Sequence, residues 1–274
     1  MPRDLRDVLD YLLPLSDGGA PAAASTRTAS RAADVALEAG PGPARPASLP
    51  IVAVPIGERD VVRAAFAWNL SVEVARLGAS GTLVAPEEDE TSLLWPEPGR
   101  GPVGSEVVFT RAHSLGELYR AALDVAVDRA ADSRGGVVLV RVPPAWLQAK
   151  PDGRALLRWV LLFASLEPRD LLETYALAKR VLRASHQSKV GVTIHGVRRV
   201  GEAQEACSLL SGVASRHLGQ SLVSYGLLVD DLHVYRAIVA RRPVGLEHPQ
   251  SPASRALRDV ARLLLEDSRS ATVA

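Results

Sequence analysis

Leu49-Pro50-Ile51-Val52-Ala53-Val54 is an unbroken apolar run, and Val61 to Leu77 follows it at helical spacing with Gly78 at the end. An apolar run without polar alternation reads as a strand buried on both faces. A glycine just past the last periodic residue reads as a helix C-terminus. The alternation repeats downstream. Gly81 to Ala85 and Glu106 to Thr110 are strand candidates, Leu115 to Ala131 is a helix, and Gly136-Val137-Val138-Leu139-Val140 is the clearest buried strand. Leu156 to Ala164 fits a helix end running into a strand. Helices are then expected over Leu171–Ser185, Gly201–Leu218 and Ser254–Glu266, with strands at Lys189–His195 and Val223–Leu228. Fully apolar strands alternating with helices imply an α/β fold, a mostly parallel sheet with helices on both faces.

Upstream of this body the character changes. Leu5, Val8, Leu9, Leu12 and Leu13 lie at helical spacing until Pro14 stops the pattern. So short a helix is marginal alone and needs a surface, either its own domain or another protein. From Ser16 to Ser48, Ala, Gly, Pro and Ser fill 23 of 33 positions without one aromatic. That composition cannot bury enough apolar area to offset its ordering entropy and reads as a flexible linker. The expected organisation is an amphipathic helix over residues 1–15, a linker over 16–48 and an α/β domain over 49–274.

The chain has 274 residues, enough for one large domain or two small ones. Its 32 basic and 31 acidic residues leave a net charge of +1, which gives no basis for non-specific binding to nucleic acid or acidic membranes. The single Cys207 excludes an intramolecular disulfide framework and a four-cysteine zinc site. No apolar run approaches the ~20 residues of a membrane span, and Asp4, Asp7 and Asp10 interrupt any signal peptide. A cytoplasmic location is the expectation. The only lysines are Lys150, Lys179 and Lys189.

Several stretches carry a resemblance. Asn69-Leu70 with Val74-Ala75-Arg76-Leu77-Gly78 is similar to an "NLA…LA..G" helix ending. Glu167-Pro168 with Thr174-Tyr175-Ala176-Leu177-Ala178-Lys179 is similar to "EP…DAYALIK". Tyr225-Gly226, Asp230-Asp231, Ala237, Arg242-Pro243 and Pro249-Gln250-Ser251-Pro252-Ala253-Ser254-Arg255 follow in the order "YLG…D..V..A…RP…P.SPASRA". Over residues 50–266 the chain resembles the MinD/FlhG branch of the deviant Walker A ATPases, the group that includes the ParA partition proteins. The resemblance implies a P-loop NTPase-like topology.

The departures from that family concern phosphate. Its loop after the first strand reads "GKGGVGKT", in which glycines let backbone N–H groups wrap the phosphates, lysines neutralise them and Thr holds magnesium. Counting back from Asn69, this chain has Gly57-Glu58-Arg59-Asp60-Val61-Val62-Arg63-Ala64. The signature lysine position is Glu58, the P-loop lysine position Arg63 and the magnesium-binding position Ala64. β-Branched Val61 and Val62 resist the positive φ that glycine allows. Glu58 and Asp60 would oppose a triphosphate, and the planar Arg63 fork does not replace a compact ammonium. The "IDAD" strand end corresponds to Val84-Ala85-Pro86-Glu87, the Walker B aspartate to Arg141, and an adenine-contacting asparagine to His195. With all elements replaced, a pseudo-ATPase that holds no cofactor is expected. Because the charges invert, Glu58 or Glu87 could pair with Arg141, against independent surface charges as the plainer reading.

No other chemistry stands out. The six histidines lack i, i+4 pairs and zinc-ligand spacing, and Cys207 sits among Ala203, Ala206 and Leu210 as a small hydrophobe would. The doublets Arg198-Arg199 and Arg241-Arg242 lack stacking aromatics, so no nucleic-acid partner is expected. Leu257, Val260, Ala261, Leu264 and Leu265 stripe the last helix as core cover rather than as a membrane-surface helix.

Members of the resembled family cycle between ATP-bound dimers and monomers and place or count structures at a cell pole. Without a phosphate site, the resemblance implies a constitutive scaffold or regulator acting through protein partners. In the FlhG branch an N-terminal activator helix engages a partner GTPase; Leu5–Leu13 occupies the equivalent place without the usual "DQA". An alternative is a nucleotide-binding sensor or enzyme with a magnesium-independent pocket contacting phosphate through Arg63 and Arg141. A third reading is a constitutive homodimer with apolar residues replacing the nucleotide.

Overall fold

The computed structural model describes residues 48–57, 59–87, 96–133, 135–148 and 152–273. Its strands are β1 (Ile51–Pro55), β2 (Ser80–Pro86), β3 (Gly99–Arg100), β4 (Glu106–Thr110), β5 (Gly136–Val142), β6 (Trp159–Ala164), β7 (Lys189–Val197) and β8 (Val223–Val229). Its helices are α1 (Val61–Arg76), α2 (Leu115–Asp132), α3 (Pro168–Ala184), α4 (Val200–Leu218), α5 (Leu232–Ala240), α6 (Val244–Glu247) and α7 (Pro252–Val273). The strands form one sheet in the order β3-β4-β2-β5-β1-β6-β7-β8. Every pairing is parallel except the two-residue β3, which runs antiparallel on β4 at the edge. The α/β reading of the sequence therefore holds.

The central strands β5 and β6 are buried at every position, and apart from Arg141 in β5 every residue in them is apolar or glycine. Helix α1 packs between the sheet and α7, and eleven of its sixteen residues are buried. Its approach to the sheet is close: a Cβ added at Gly81 on β2 would sit 2.0 Å from the Ser71 carbonyl oxygen. Gly78 ends the helix with φ at +81°, the left-handed conformation that glycine adopts without cost. The α7 stripe Leu257, Val260, Ala261, Leu264 and Leu265 is buried against this core. It is cover for the sheet, and no helix among the described residues is long and apolar enough to cross a membrane.

Differences from the sequence reading have local causes. Residues 154–158 form a 3₁₀ turn before β6, which accounts for the mixed signal there. Helix α5 stands where no helix was expected. It carries apolar residues on both sides, with Val234, Ala237 and Ile238 buried and Leu232, Tyr235 and Val239 exposed, and at nine residues it is shorter than the window over which a helical period is read. Helix α6 is four residues long, too short to carry a period.

The residues that carry the resemblance tie these elements together. Asn69 is 3% exposed; its amide donates to the Ala65 carbonyl, and its oxygen accepts from the Val244 N–H, both at 2.8 Å. The Ser254 hydroxyl donates to the His248 carbonyl at 2.7 Å and shares that hydrogen with the Val244 carbonyl at 3.1 Å, while the Ser251 hydroxyl accepts from the Ser254 N–H at 3.1 Å. Thr174 donates to the Phe163 carbonyl at 3.4 Å, fixing α3 on β6. Glu73, 1% exposed, lies between Arg76 (2.6 Å) and Arg258 (3.3 Å) and joins α1 to α7.

Candidate functional site

The C-terminal ends of β1, β6, β7 and β8 open on one side of the sheet, where α/β folds bind ligands. An open cleft of about 840 Å³ lies there, between the N-terminus of α1, the β6–α3 turn, the end of β7 and α5. A helix N-terminus of this kind presents free N–H groups and favours an anion. Here the protein supplies its own. The Asp60 side chain caps α1, with Oδ1 accepting from the Arg63 N–H at 3.0 Å.

Arg63 then turns back onto two carboxylates. Its Nη1 donates to Asp60 Oδ2 at 3.0 Å, and its Nη2 donates to Asp170 Oδ1 in the first turn of α3. Asp170 Oδ2 accepts from the Ser165 N–H. The Arg63 and Asp170 side chains are only 16% and 14% exposed, so the charges meet where water screens little. Burial alone would pull the Arg63 guanidinium down. The hydrogen bond and charge of Asp170, with Asp60 and Glu173, outweigh it and hold the group above its ordinary value. Burial would raise the Asp170 carboxyl, but hydrogen bonds from Arg63 and Ser165 and the guanidinium charge hold it below its ordinary value.

His195 closes the back of the cleft at the end of β7. Its ring leans on Phe66 at 5.3 Å, and its buried Nε2 makes no hydrogen bond. Burial first, and then the Arg63 charge, hold its pKa below the ordinary histidine value, with Asp170 and Asp60 opposing. A neutral imidazole stands there at pH 7.

The other sequence-selected positions separate. Ala64 is 1% exposed in the core. Arg141 is also 1% exposed, beside Val54 of β1 in the strand register, and does not line the cleft. The cleft therefore does not bring Arg63 and Arg141 together as a phosphate pair. Glu87 lies on the surface and turns its carboxylate to Arg111 at 3.6 Å. Glu58 lies outside the described residues, as do Leu5, Val8, Leu9, Leu12 and Leu13 and the linker. Among the described residues no group of three or more His, Cys, Asp or Glu could hold a metal ion. The basic doublets are paired with acids: Arg198 with Asp230, Arg199 with Glu202, Arg241 with Glu97 and Arg242 with Glu247.

Asp170 is the site residue that sequence reasoning missed. A carboxylate in the first turn after Pro168 signals a helix start, but nothing local indicates a partner 107 residues away. Asp60 was legible only as a charge opposing phosphate; its capping and its ion pair emerge from the fold.

No protein-family model matches the sequence, and no curated protein matches it. Solved structures do match. The MinD cell division protein of Aquifex aeolicus superposes with a TM-score of 0.58 at 12% identity, covering 79% of this chain and 97% of that one. The MinC:MinD complex of the same organism gives 0.54 at 14% identity, covering 79% and 96%. The cell division ATPase MinD of Pyrococcus furiosus gives 0.53 at 15% identity, covering 78% and 98%. Identity this low speaks for architecture alone. The chain has the fold of the MinD/ParA P-loop ATPases.

Proposed function

We propose that this protein is a pseudo-ATPase of MinD-like fold that acts as a scaffold or regulator by binding other proteins. The observation that carries this reading is that carboxylates of the chain itself hold the N-terminus of α1 and Arg63, where the resemblance would put the phosphate loop. Asp60 caps α1, and Arg63 is held by Asp60 and Asp170. A triphosphate entering there would have to displace an ion pair of which each side chain is less than one-fifth exposed, and would meet the carboxylates it displaced. The resemblance adds the loss of glycines, lysines and the magnesium hydroxyl. A fold that keeps its shape but no phosphate chemistry retains surfaces as its means of action. MinD of Aquifex aeolicus, which shares the fold, is solved as a complex with MinC. By the same resemblance we place the protein in polar positioning of a cellular machine, with residues 1–15 as the segment that engages a partner GTPase.

Thermal melting with and without ATP, ADP or GTP and magnesium tests the central claim. A ligand at ~100 times its dissociation constant would add ~2.7 kcal/mol, about 5–10 °C for a domain of this size. The expected shift is nil. A rise of several degrees with any nucleotide would overturn the reading.

A further inference from the structure

The cleft is acidic. Asp60, Glu167, Asp170, Glu173 and Asp230 line it against Arg63 and Arg169, an excess of three negative charges from five carboxylates and two guanidiniums. Arg63 is already held by Asp60 and Asp170, Arg169 lies 3.3 Å from Glu173, and Arg198 beyond the lining lies 3.7 Å from Asp230, which brings the local excess to two. Glu167, Glu173 and Asp230 are exposed along the rim. An anionic ligand is repelled by such a surface and an ammonium or guanidinium is drawn to it.

One wall of the same cleft is apolar. Tyr235 of α5 lines it and belongs to an exposed stripe with Leu232 and Val239, which are 48%, 60% and 71% exposed respectively. Positions i, i+3 and i+7 share a helix face, while Val234, Ala237 and Ile238 on the other face bury into the core. Acidic rim and apolar stripe meet at Tyr235, whose ring also offers a face to a cation.

We infer, on the reading that this site no longer holds a nucleotide, that the cleft and the outer face of α5 form one docking surface for a basic amphipathic segment of a protein partner. Its apolar residues cover Leu232, Tyr235 and Val239, in the helix-on-groove manner of such segments. Its arginines or lysines reach Glu167, Glu173 and Asp230. Charge complementarity selects this occupant: nucleic acid and acidic peptides present the wrong sign.

The test uses the full-length protein and a fluorescein-labelled synthetic helix of leucine and arginine, followed by anisotropy. Two control peptides replace arginine by glutamate or leucine by serine. The expected result is binding of the first peptide alone, weakened by salt. Glu167→Lys/Glu173→Lys and Tyr235→Ser/Val239→Ser should each bind it about tenfold more weakly. Asp124→Lys/Glu205→Lys, the same charge change at exposed positions of α2 and α4 outside the cleft, should bind it as the parent does. All substituted side chains are exposed, and unchanged melting temperatures confirm folding. No binding, unaltered binding by the cleft variants, or equal loss in the Asp124/Glu205 variant would overturn the docking surface. Melting with Mg-ATP on the same samples separates the two claims: a shift overturns the nucleotide-free reading, whereas its absence with failed peptide binding removes the docking surface alone.

Discussion

Asp170→Asn removes one charge from the Arg63 cluster at nearly constant shape. In the parent, Asp170 accepts from the Arg63 guanidinium through one oxygen and from the Ser165 N–H through the other. Asparagine offers a single acceptor, so one donor loses its partner or faces an amide NH₂. A hydrogen bond to a charged group contributes roughly 1.5–3 kcal/mol, and breaking a buried pair costs roughly 3–5 kcal/mol. Arg63 keeps Asp60 at 3.0 Å, which places the loss at the lower end. The expected cost is about 2 kcal/mol at pH 7, or about 4–8 °C in melting temperature. Its pH dependence has a definite sign. The folded Asp170 pKa lies below the ordinary value of 3.8, so its stabilisation is complete above that value and is lost as pH falls through the folded pKa. Urea unfolding followed by tryptophan fluorescence, in steps from pH 7 to pH 2, should show parent and variant separated at neutral pH and drawing together below pH 3.8. A neutral-pH gap below ~0.5 kcal/mol, or a gap that persists in acid, would refute the reasoning. Arg63→Met/Asp170→Leu removes both charges together and should recover much of the loss.

Glu73→Gln leaves Arg76 and Arg258 facing a neutral amide in a site 1% exposed, so a loss of about 3 kcal/mol is expected in chemical denaturation; a change within error would show that the two arginines do not depend on that charge. Asn69→Ala strands the buried Val244 N–H and should lower stability by roughly 1–3 kcal/mol, with a calorimetric melt unchanged from the parent as the contrary result. Deleting residues 1–15 should abolish partner recruitment in pull-down assays and leave the melting of the remaining chain unaltered. Retained recruitment would remove that segment from the partner reading.

Much of the sheet was written locally. Strands buried on both faces are built mostly of apolar residues, so Val52, Val138, Leu161 and Val192 announce themselves without reference to anything distant. Gly78 likewise marks the end of α1 by its own backbone requirement. Edge and surface elements lacked that constraint. β3 needs only two residues to pair with β4, and α5 carries apolar residues on its exposed face as well as on its buried one.

The sequence by itself determined the layer architecture and the residue types at the turn from β1 into α1. Those are properties of single residues and short periods. Tertiary structure alone decided what the charged residues there do. Arg63 meets Asp170 across 107 residues and Glu73 meets Arg258 across 185. Arg141 disappears into the sheet, and His195 comes to rest beside Phe66. A charge in a sequence has no partner until the chain closes a loop, and which loop closes is settled by the packing of α1, α3 and α7 on the sheet rather than by the charges themselves.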